Sequence, residues 1–323
     1  MLRRRIVVAA MATLAASGAA AQTWPEKPVH IIVAFTPGSA TDVIARAVSN
    51  ELSARLGQPV IIENKPGAGG TIAAGQVAKS APDGYTLLVN SSGHTVSPWI
   101  YSKLSYDTAK DLSGVTLLAR QPNILVVSPD KGWKTVGDLV KQAKAQPGKL
   151  SFASAGVGSA THINGEKFKV ASGIDVLHVP YKGGGPILQD LIGGQIGMFI
   201  TPYGAPHVAM EKEGKLKFVA ALSEKPQRLI PHVHSVDEAP ELKSFHYAIR
   251  SGFYVKRGTP EPIVEILHRA LSKVLADPEL RNALTSLGQE VVAPLSLAEC
   301  EKAYTQEIQN YQEIARAINL QAQ

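Results

Sequence analysis

The sequence predicts an α/β protein made of two lobes that are joined by a hinge. Short strand patterns rich in β-branched residues alternate with apolar helix patterns over most of the 323 residues. The alternation runs in two series, the second starting near Leu150, and right-handed crossovers place such series in parallel sheets flanked by helices. A strand-poor tail follows, and we expect it to return and cover the first lobe.

The chain begins with a pattern typical of export. Arg3, Arg4 and Arg5 precede an apolar run and then a small-residue run that ends near Ala21, which predicts a secretory signal peptide over residues 1–21. The apolar run is shorter than the about 20 residues that a membrane span needs. Removing the three arginines lowers the formal net charge from +6 to +3. Because no lysine or arginine stripe follows, we expect no nucleic-acid partner.

The first series predicts the sheet of the first lobe. The strand pattern VHIIVAF precedes an apolar ladder of Ile44, Val48, Leu52 and Leu56 at four-residue spacing, closed by Gly57. The strand PVIIEN, the helix GAGGTIAAGQVAK, the strand YTLLVNS, and the strands VTLLA and NILVVSP follow. These strands are short and apolar, as buried parallel strands are.

The second series predicts the second lobe. It consists of the strand LSFAS, a helix from about Thr161, the strand IDVLHVP, the helix PILQDLI, the strand QIGMFI, a helix past Pro206 and the strand LKFVAAL. The tail then shows helical patterns around the short strand EVVAP, at Pro262 to Ala276, Pro278 to Gly288 and Leu297 to Ala317.

We expect the chain to cross between the lobes twice, near NILVVSP and near SGFYVKRG, and these crossings define the predicted domain division. Lobe 1 is expected to contain residues 22–123 and 247–323, and lobe 2 residues 124–246. Two such crossings predict a hinge, and closure of a hinge around a ligand is a common use of paired α/β lobes.

The tetrapeptide Gly-Ser-Ala-Thr occurs twice, each time between a strand and a helix. We call Phe35–Asp42 the first corner and Ser154–His162 the second corner. In open α/β sheets, ligands bind beyond the carboxyl ends of the strands, where helix N-termini present unpaired amides and a dipole that favours anions. The two corners therefore predict anion-binding groups that face each other across a cleft.

Each corner also has an ordinary interpretation as a helix cap. Ser39 is the candidate N-cap of the first helix, and Asp42 is expected to reach back to the Ser39 amide in a capping box. Ser159 takes the same place in the second corner, and His162 replaces the aspartate. Serine and threonine cap many helices without touching a ligand, so the case for binding depends on the pairing of the corners.

Two further segments are expected to reach the cleft, namely the loop after YTLLV and the end of QIGMFI. His94 is either a ligand donor or a surface residue, and Phe35 and Tyr203 are either an aromatic wall or ordinary core. The full set of predicted ligand-binding residues is Phe35, Pro37, Gly38, Ser39, Ala40, Thr41, Asp42, Ser91, Ser92, His94, Ser154, Gly158, Ser159, Ala160, Thr161, His162, Thr201 and Tyr203.

The motifs of enzymes and metal proteins are missing from the sequence. It contains no G-x-S-x-G elbow and no H-E-x-x-H motif, and Cys300 is the only cysteine. The pair His232 and His234 lacks a third ligand, and GAGGTIAAG lacks the sixth-position glycine of a dinucleotide fingerprint. We therefore predict no enzymatic activity, no cofactor and no metal, with an exported α/β hydrolase as the weaker alternative.

Four long stretches of the chain carry a family resemblance: WPEKPVHIIVAFTPGSATDVIARAVSNELSARLGQPVIIENKPGAGG, PGKLSFASAGVGSATHINGEKF, HVPYKGGGPILQDLIGGQIGMFI and GTPEPIVEILHRAL. They resemble the periplasmic solute receptors of tripartite tricarboxylate transporters, the Bug-type receptors. The resemblance implies a type II-like periplasmic binding protein, a Venus flytrap with two Rossmann-like lobes, and we expect a monomer. It implies that loops matching both corners, Ser91–His94 and the segment after GGQIGMFI hold a small carboxylate for delivery to membrane permease subunits.

The duplicated corner suggests a ligand with an anionic group at each end, and Phe35, His94 and Tyr203 would tolerate a flat body between them. We therefore expect a dicarboxylate, for which the aromatic diacid terephthalate is an example. An amino acid would need a free acid for its ammonium group, and Asp42 is the only acid in the predicted loops. A receptor that docks on a sensor protein is the alternative to a transport receptor.

Overall fold

The computed structural model describes residues 24–91, 94–95, 97–286 and 288–317. The signal peptide predicted over residues 1–21 lies outside the described residues, as does Ser92. No helix within the described ranges is long and apolar enough to cross a membrane.

Ten strands and eleven α-helices occur in the described ranges. The strands are β1 Val29–Val33, β2 Val60–Asn64, β3 Thr86–Ser91, β4 Leu112–Val127, β5 Ser151–Ser154, β6 Leu177–Pro180, β7 Met198–Pro202, β8 Lys217–Ala221, β9 Ala248–Lys256 and β10 Glu290–Val291. The helices are α1 Ala40–Leu56, α2 Thr71–Ala78, α3 Ser97–Ile100, α4 Thr108–Asp111, α5 Val136–Ala145, α6 Ala160–Ser172, α7 Gly184–Ile192, α8 Ala205–Lys212, α9 Glu261–Ala276, α10 Pro278–Ser286 and α11 Leu297–Ala317.

The strands form a mixed sheet with two parts that share β4. The first part has the order β2-β1-β3-β9-β4, with β10 also paired to β4, and we call it and its helices the first lobe. The second part has the order β6-β5-β7-β4-β8, and we call it and its helices the second lobe. β1 runs parallel to β2 and β3, and β5 runs parallel to β6 and β7.

The strands that cross between lobes differ from the prediction. VTLLA and NILVVSP belong to one continuous strand, β4, and the sheet is mixed rather than parallel. β4 carries the chain out of the first lobe and β9 returns it, so the two strands run antiparallel. β4 pairs with β9 up to Pro122 and with β7 from Asn123 onward. The lobe boundaries at 123/124 and 246/247, and the hinge motion, stay predictions.

Helix α1 shows how the sequence positions the first corner. Its apolar ladder from Ile44 to Leu56 is buried in the core against the sheet. Gly57 ends the helix with a φ of +68°, a conformation that glycine adopts without strain. Because the ladder holds α1 against the sheet, its N-terminus lies at the carboxyl end of β1.

The C-terminal helices pack on the first lobe. Leu267 and Leu271 of α9 belong to the same buried cluster as the ladder of α1. Tyr304 of α11 lies against Tyr254 of β9, with 4.8 Å between ring centroids, and stacks on His94 at 5.7 Å. Helix α11 of the tail thus packs on the sheet at β9 and on His94 in the loop after β3.

Candidate ligand-binding cleft

A cleft of about 310 Å³ is lined by residues of both lobes. This volume is at the lower end of small-molecule sites, which span about 300–1,000 Å³, so it suits a small solute. The predicted residues that line the cleft are Phe35, Pro37, Gly38, Ser39, Ala40, Thr41, Ser91, Ser159, Ala160, Thr161 and Thr201. Contact of each with a ligand stays a prediction.

The two corners have the same backbone geometry. Gly38 and Gly158 have φ values of +80° and +81°, in the left-handed region that glycine tolerates. Ser39 and Ser159 are the N-caps of α1 and α6, with φ/ψ of −67°/161° and −69°/159°. In each corner the serine Oγ accepts the N–H of the third helical residue at 3.3 Å. The repeated tetrapeptide is therefore a repeated structure.

A side chain one helical turn further on accepts the N–H of each corner glycine. The Gly38 N–H donates to Oδ2 of Asp42 at 2.9 Å, and the Gly158 N–H donates to Nδ1 of His162 at 3.2 Å. These bonds hold each glycine at a fixed place relative to its helix.

The predicted capping box of the first corner is wrong in one detail. Asp42 bonds the N–H of Gly38 rather than that of Ser39. The Ser39 N–H donates to the carbonyl of Thr36 at 3.1 Å, because the chain makes a turn there. Gly38 is thus the residue whose amide needs an acceptor.

The first two amides of α1 and of α6 remain available. Within the described part of the chain, the N–H groups of Ala40, Thr41, Ala160 and Thr161 find no acceptor, whereas the amides on either side of each pair are bonded. All four residues line the cleft. Unpaired amides at a helix N-terminus, together with the helix dipole, form a site for an anion.

The cleft contains few ionisable side chains. Among the described residues, no Asp, Glu, Lys or Arg lines it. His207 lines it, but burial lowers the pKa of His207 to about 4, so the ring is neutral at pH 7. The polar groups of the residues that line the cleft are therefore neutral, namely backbone amides, hydroxyl groups, the amides of Gln121 and Gln289, and the ring of His207.

Asp42 is buried beneath the first corner rather than in the cleft wall. Its carboxylate accepts hydrogen bonds from Gly38 N–H, Arg46 Nε and Asn64 Nδ2, each at 2.9 Å. Burial by itself raises the pKa of Asp42, but the bonds from Arg46, Gly38 and Asn64 bring it below its ordinary value. The charge of Asp42 is thus already matched by protein donors and is not free for a ligand ammonium group.

His162 belongs to a small cluster with His178 and Glu166. The imidazole rings of His162 and His178 stack with 4.1 Å between centroids. Burial, and to a smaller extent the neighbouring His178, lowers the pKa of His162 to about 3. The three side chains offer ligand atoms within 4.8 Å of one another, a spacing that a metal could exploit. However, Nδ1 of His162 accepts the Gly158 N–H, so its proton is on Nε2, the atom a metal would need. The cluster is therefore better explained as support for the backbone of the second corner than as a metal site.

Several predicted residues lie behind the cleft wall, and their contact with a ligand stays a prediction. His94 is fully buried and its Nδ1–H donates to the carbonyl of Ser91 at 2.8 Å. Tyr203 is buried and its hydroxyl donates to Gln227 at 3.3 Å. The predicted residues that do not line the cleft are Asp42, His94, Ser154, Gly158, His162 and Tyr203.

Other residues line the cleft although they were not among the individually predicted ligand-binding residues; Thr36 and Ala155 lie within the two corners. Gly183–Gly185 stand at the N-terminus of α7, and the run KGGGP between a strand and a helix was a usable signal. Gln121 and Gln289 reach the cleft through a crossing strand and through the returning tail, which no local pattern reveals. The residues missed are Thr36, Val43, Gln121, Ala155, Gly183, Gly184, Gly185, Leu188, Phe199, Pro202, Gly204, Pro206, His207, Ile249, Ser251 and Gln289.

The two lobes touch near the second corner. The hydroxyl of Tyr101 in the first lobe donates to the carbonyl of Val157 in the second at 2.5 Å. A Cβ atom on Gly69 would lie only 2.6 Å from that same carbonyl oxygen. Glycine at position 69 thus allows the first lobe to approach the backbone of the second corner.

The family model of the tripartite tricarboxylate transporter family receptor, TctC, matches residues 44–320. The chain belongs to this receptor family. Its members are periplasmic solute-binding receptors and not enzymes, which confirms the resemblance noted in the sequence and the prediction that the chain is not an enzyme.

Solved structures of the same kind are similar to this receptor. The periplasmic binding protein BugD is 30% identical with a TM-score of 0.85, covering 93% of this chain and 100% of BugD. MatC from Rhodopseudomonas palustris with bound malate is 32% identical with a TM-score of 0.84, covering 90% of this chain and 100% of MatC. Rpa4515 from R. palustris with adipate is 30% identical with a TM-score of 0.86, covering 93% and 100%. The predicted α/β fold of a periplasmic binding protein is thereby confirmed.

Proposed function

We propose that this receptor binds a small dicarboxylate in its cleft, in the periplasm, and delivers it to the permease subunits of a tripartite tricarboxylate-type transporter. The observation that carries the proposal is the pair of corners. Two helix N-termini with the same geometry present four unpaired amides at one cleft that, among the described residues, is lined by no Asp, Glu, Lys or Arg.

Binding energies explain why both lobes take part. Micromolar affinity corresponds to about 8 kcal/mol. A hydrogen bond to a charged group contributes about 1.5–3 kcal/mol, and a helix N-terminus contributes about 0.3–1 kcal/mol, up to about 2 when partly buried. Two such bonds at one corner fall short once the entropy of association is subtracted. The amides of the second lobe supply the remainder when the cleft is closed.

A dicarboxylate agrees with the lining of the cleft and with the ligands bound in similar solved structures. MatC binds malate and Rpa4515 binds adipate, and both ligands carry two carboxylates. Phe35 and Phe199 give the cleft of this receptor an apolar wall, which suits an aliphatic or aromatic body such as that of terephthalate. An amino acid is disfavoured because Asp42, the acid of the first corner, is already bonded to three donors.

A ligand screen tests the proposal. Thermal unfolding of the purified receptor is measured with malate, adipate, terephthalate, citrate and aspartate, and hits are followed by calorimetry. We expect one of the dicarboxylates to raise the melting temperature, since a ligand that binds only the folded state stabilises it. A large shift with aspartate, which adds an ammonium group to two carboxylates, and none with malate, adipate or terephthalate would overturn the proposal.

A gene deletion separates transport from sensing. We expect the deletion to abolish uptake of the identified acid. Intact uptake together with loss of the transcriptional response to that acid would favour the receptor that docks on a sensor protein.

A further inference from the structure

A second polar site lines the cleft, formed by Gln289 and His207. Gln289 follows α10, is only 3% exposed, and has an Oε1 atom that is buried without a hydrogen-bond partner. His207 lies in the first turn of α8, and its Nδ1 atom is likewise buried and unpaired. Both side chains line the cleft, and we call the pair the Gln289–His207 wall.

The wall joins the two lobes. The segment before β10 carries Gln289 in the first lobe, whereas α8 carries His207 in the second. A Cβ atom on the neighbouring Gly288 would lie 2.5 Å from the carbonyl oxygen of Tyr203 and 2.9 Å from Cα of Gly204. The residue before Gln289 therefore lies close to the backbone of Tyr203 and Gly204, the segment that leads into α8 and His207.

Unpaired buried polar atoms are rare in folded proteins, because each forfeits its hydration without compensation. Other such atoms in the described chain, for example those of Asn123 and Asn164, belong to residues that do not line the cleft. Gln289 and His207 differ in that both residues line the cleft. Their unpaired atoms thus indicate hydrogen bonds that are completed by the ligand.

The corner amides leave one carboxylate of a diacid without partners. A carboxylate has about four acceptor positions on its two oxygens, so the four free amides of Ala40, Thr41, Ala160 and Thr161 can saturate a single carboxylate. The sequence had suggested one carboxylate for each corner. On this count of donors and acceptors, a second carboxylate needs donors elsewhere in the cleft.

The wall can supply those donors. His207 is neutral at pH 7, because burial lowers its pKa to about 4, and a neutral imidazole can carry its proton on Nδ1. The amide of Gln289 presents either its oxygen or its NH₂ group after a half-turn about its terminal bond, and the two orientations are not distinguished by shape. The first turn of α8 adds the positive end of a helix dipole on the same side.

We propose that Gln289 and His207 bind the second carboxylate of the ligand as two neutral donors, while the amides of both corners bind the first. This inference rests on the proposed function, because it assumes a carboxylate ligand. It makes the wall the part of the cleft that selects diacids over monoacids.

Matched pairs of acids test the wall by calorimetry. Adipate is compared with hexanoate, and terephthalate with benzoate, so that each pair differs in one carboxylate. For the pair whose diacid binds more tightly, we expect the wild type to prefer the diacid at least tenfold. Gln289→Met and His207→Leu should each weaken binding of the diacid at least tenfold and change the affinity for the monoacid by no more than about twofold. His207→Gln, which keeps a donor, should restore most of the diacid affinity.

Exposed residues provide the control variants. Gln306→Met and His232→Leu make the same chemical changes at positions bonded to Asn310 and Glu211, outside the cleft. They should leave both affinities unchanged. Thermal unfolding checks that each variant is folded, and the two wall positions test the inference independently.

Several outcomes would overturn the inference. Equal losses for diacid and monoacid, or unchanged diacid affinity in both Gln289→Met and His207→Leu, would remove the wall from carboxylate recognition. A wild type that binds a diacid no tighter than its monoacid would do the same, while leaving a carboxylate receptor in place. A wild type that binds none of the acids would overturn the proposed function as well.

Discussion

The N–H of Gly158 donates a hydrogen bond to Nδ1 of His162, 3.2 Å away, at the second corner of the cleft. The equivalent bond in the first corner joins Gly38 to the carboxylate of Asp42 at 2.9 Å. A neutral ring and a charged carboxylate thus perform the same task. The aspartate is balanced by Arg46, whereas the second corner needs no such partner.

Replacing His162 tests whether this bond keeps the second corner in shape. His162→Ala leaves the Gly158 N–H without its acceptor, and we expect a loss of about 1–3 kcal/mol in the free energy of unfolding and at least tenfold weaker ligand binding. His162→Asn has the length of Asp42, so it can accept the same N–H and should restore most of both. Urea denaturation and calorimetry give the two quantities. Because both variants lose the stacking on His178, equal defects would show that stacking rather than the hydrogen bond matters.

The two corner threonines have different partners and should respond differently to Thr→Val. Oγ1 of each threonine contacts the Oγ of its corner serine, at 3.2 Å for Thr41 and 2.9 Å for Thr161. Oγ1 of Thr161 in addition accepts the Ala155 N–H at 2.9 Å. Thr161→Val should therefore lower the free energy of unfolding by about 1–2 kcal/mol. Thr41→Val should change it by less than about 0.5 kcal/mol and weaken ligand binding severalfold. Identical effects at the two positions would contradict this difference.

Gly69→Ala should hold the lobes apart. The new Cβ would lie 2.6 Å from the carbonyl oxygen of Val157 in the opposite lobe. Gly57→Ala is the matched control, because its φ of +68° is close to the +63° of Gly69 and nothing lies within 4 Å of its Cβ position. Both variants carry a backbone strain of about 1–2 kcal/mol. Only Gly69→Ala should weaken ligand binding tenfold and abolish ligand-induced compaction in small-angle X-ray scattering. Equal binding by both variants would argue against closure at this contact.

Acid should destabilise the receptor, partly through His94. Burial lowers the pKa of His94 to about 4, against 6.5 for a free histidine. Between pH 6.5 and 4 the unfolded chain binds a proton at this residue that the folded chain does not, so the free energy of unfolding falls as the pH falls. The shift corresponds to about 3 kcal/mol.

Urea denaturation between pH 7 and pH 4.5 measures this dependence. His94→Gln removes the titrating ring, so its free energy of unfolding should fall less steeply with acid than that of the wild type. Parallel curves for the two proteins would show that His94 takes up its proton equally in both states.

Local sequence patterns predicted the elements that are set by local physics. The ladder from Ile44 to Leu56 forms α1, and both Gly-Ser-Ala-Thr repeats begin helices, because apolar spacing and capping act over a few residues. The antiparallel pairing of β4 with β9 depends on residues more than a hundred positions apart, and no local pattern contains it.

The candidate site shows the same limit. Ser39 and Ser159 were placed correctly as N-caps because a cap is a local feature. His94 stands in a polar loop by sequence, but the ring of Tyr304 in the returning tail buries it. Gln289 reaches the cleft only because that tail packs beside β4, so its position depends on the tertiary structure.

Strand β4 belongs to both parts of the mixed sheet, and this restricts the form that the predicted hinge motion can take. Its hydrogen bonds continue on both sides of the junction between Pro122 and Asn123. Sliding one half of the molecule past the other would break one of these ladders, whereas bending or twisting near the junction preserves both. For the predicted hinge motion, we therefore expect the opposing amide groups of the two corners to return to the same alignment each time the cleft closes.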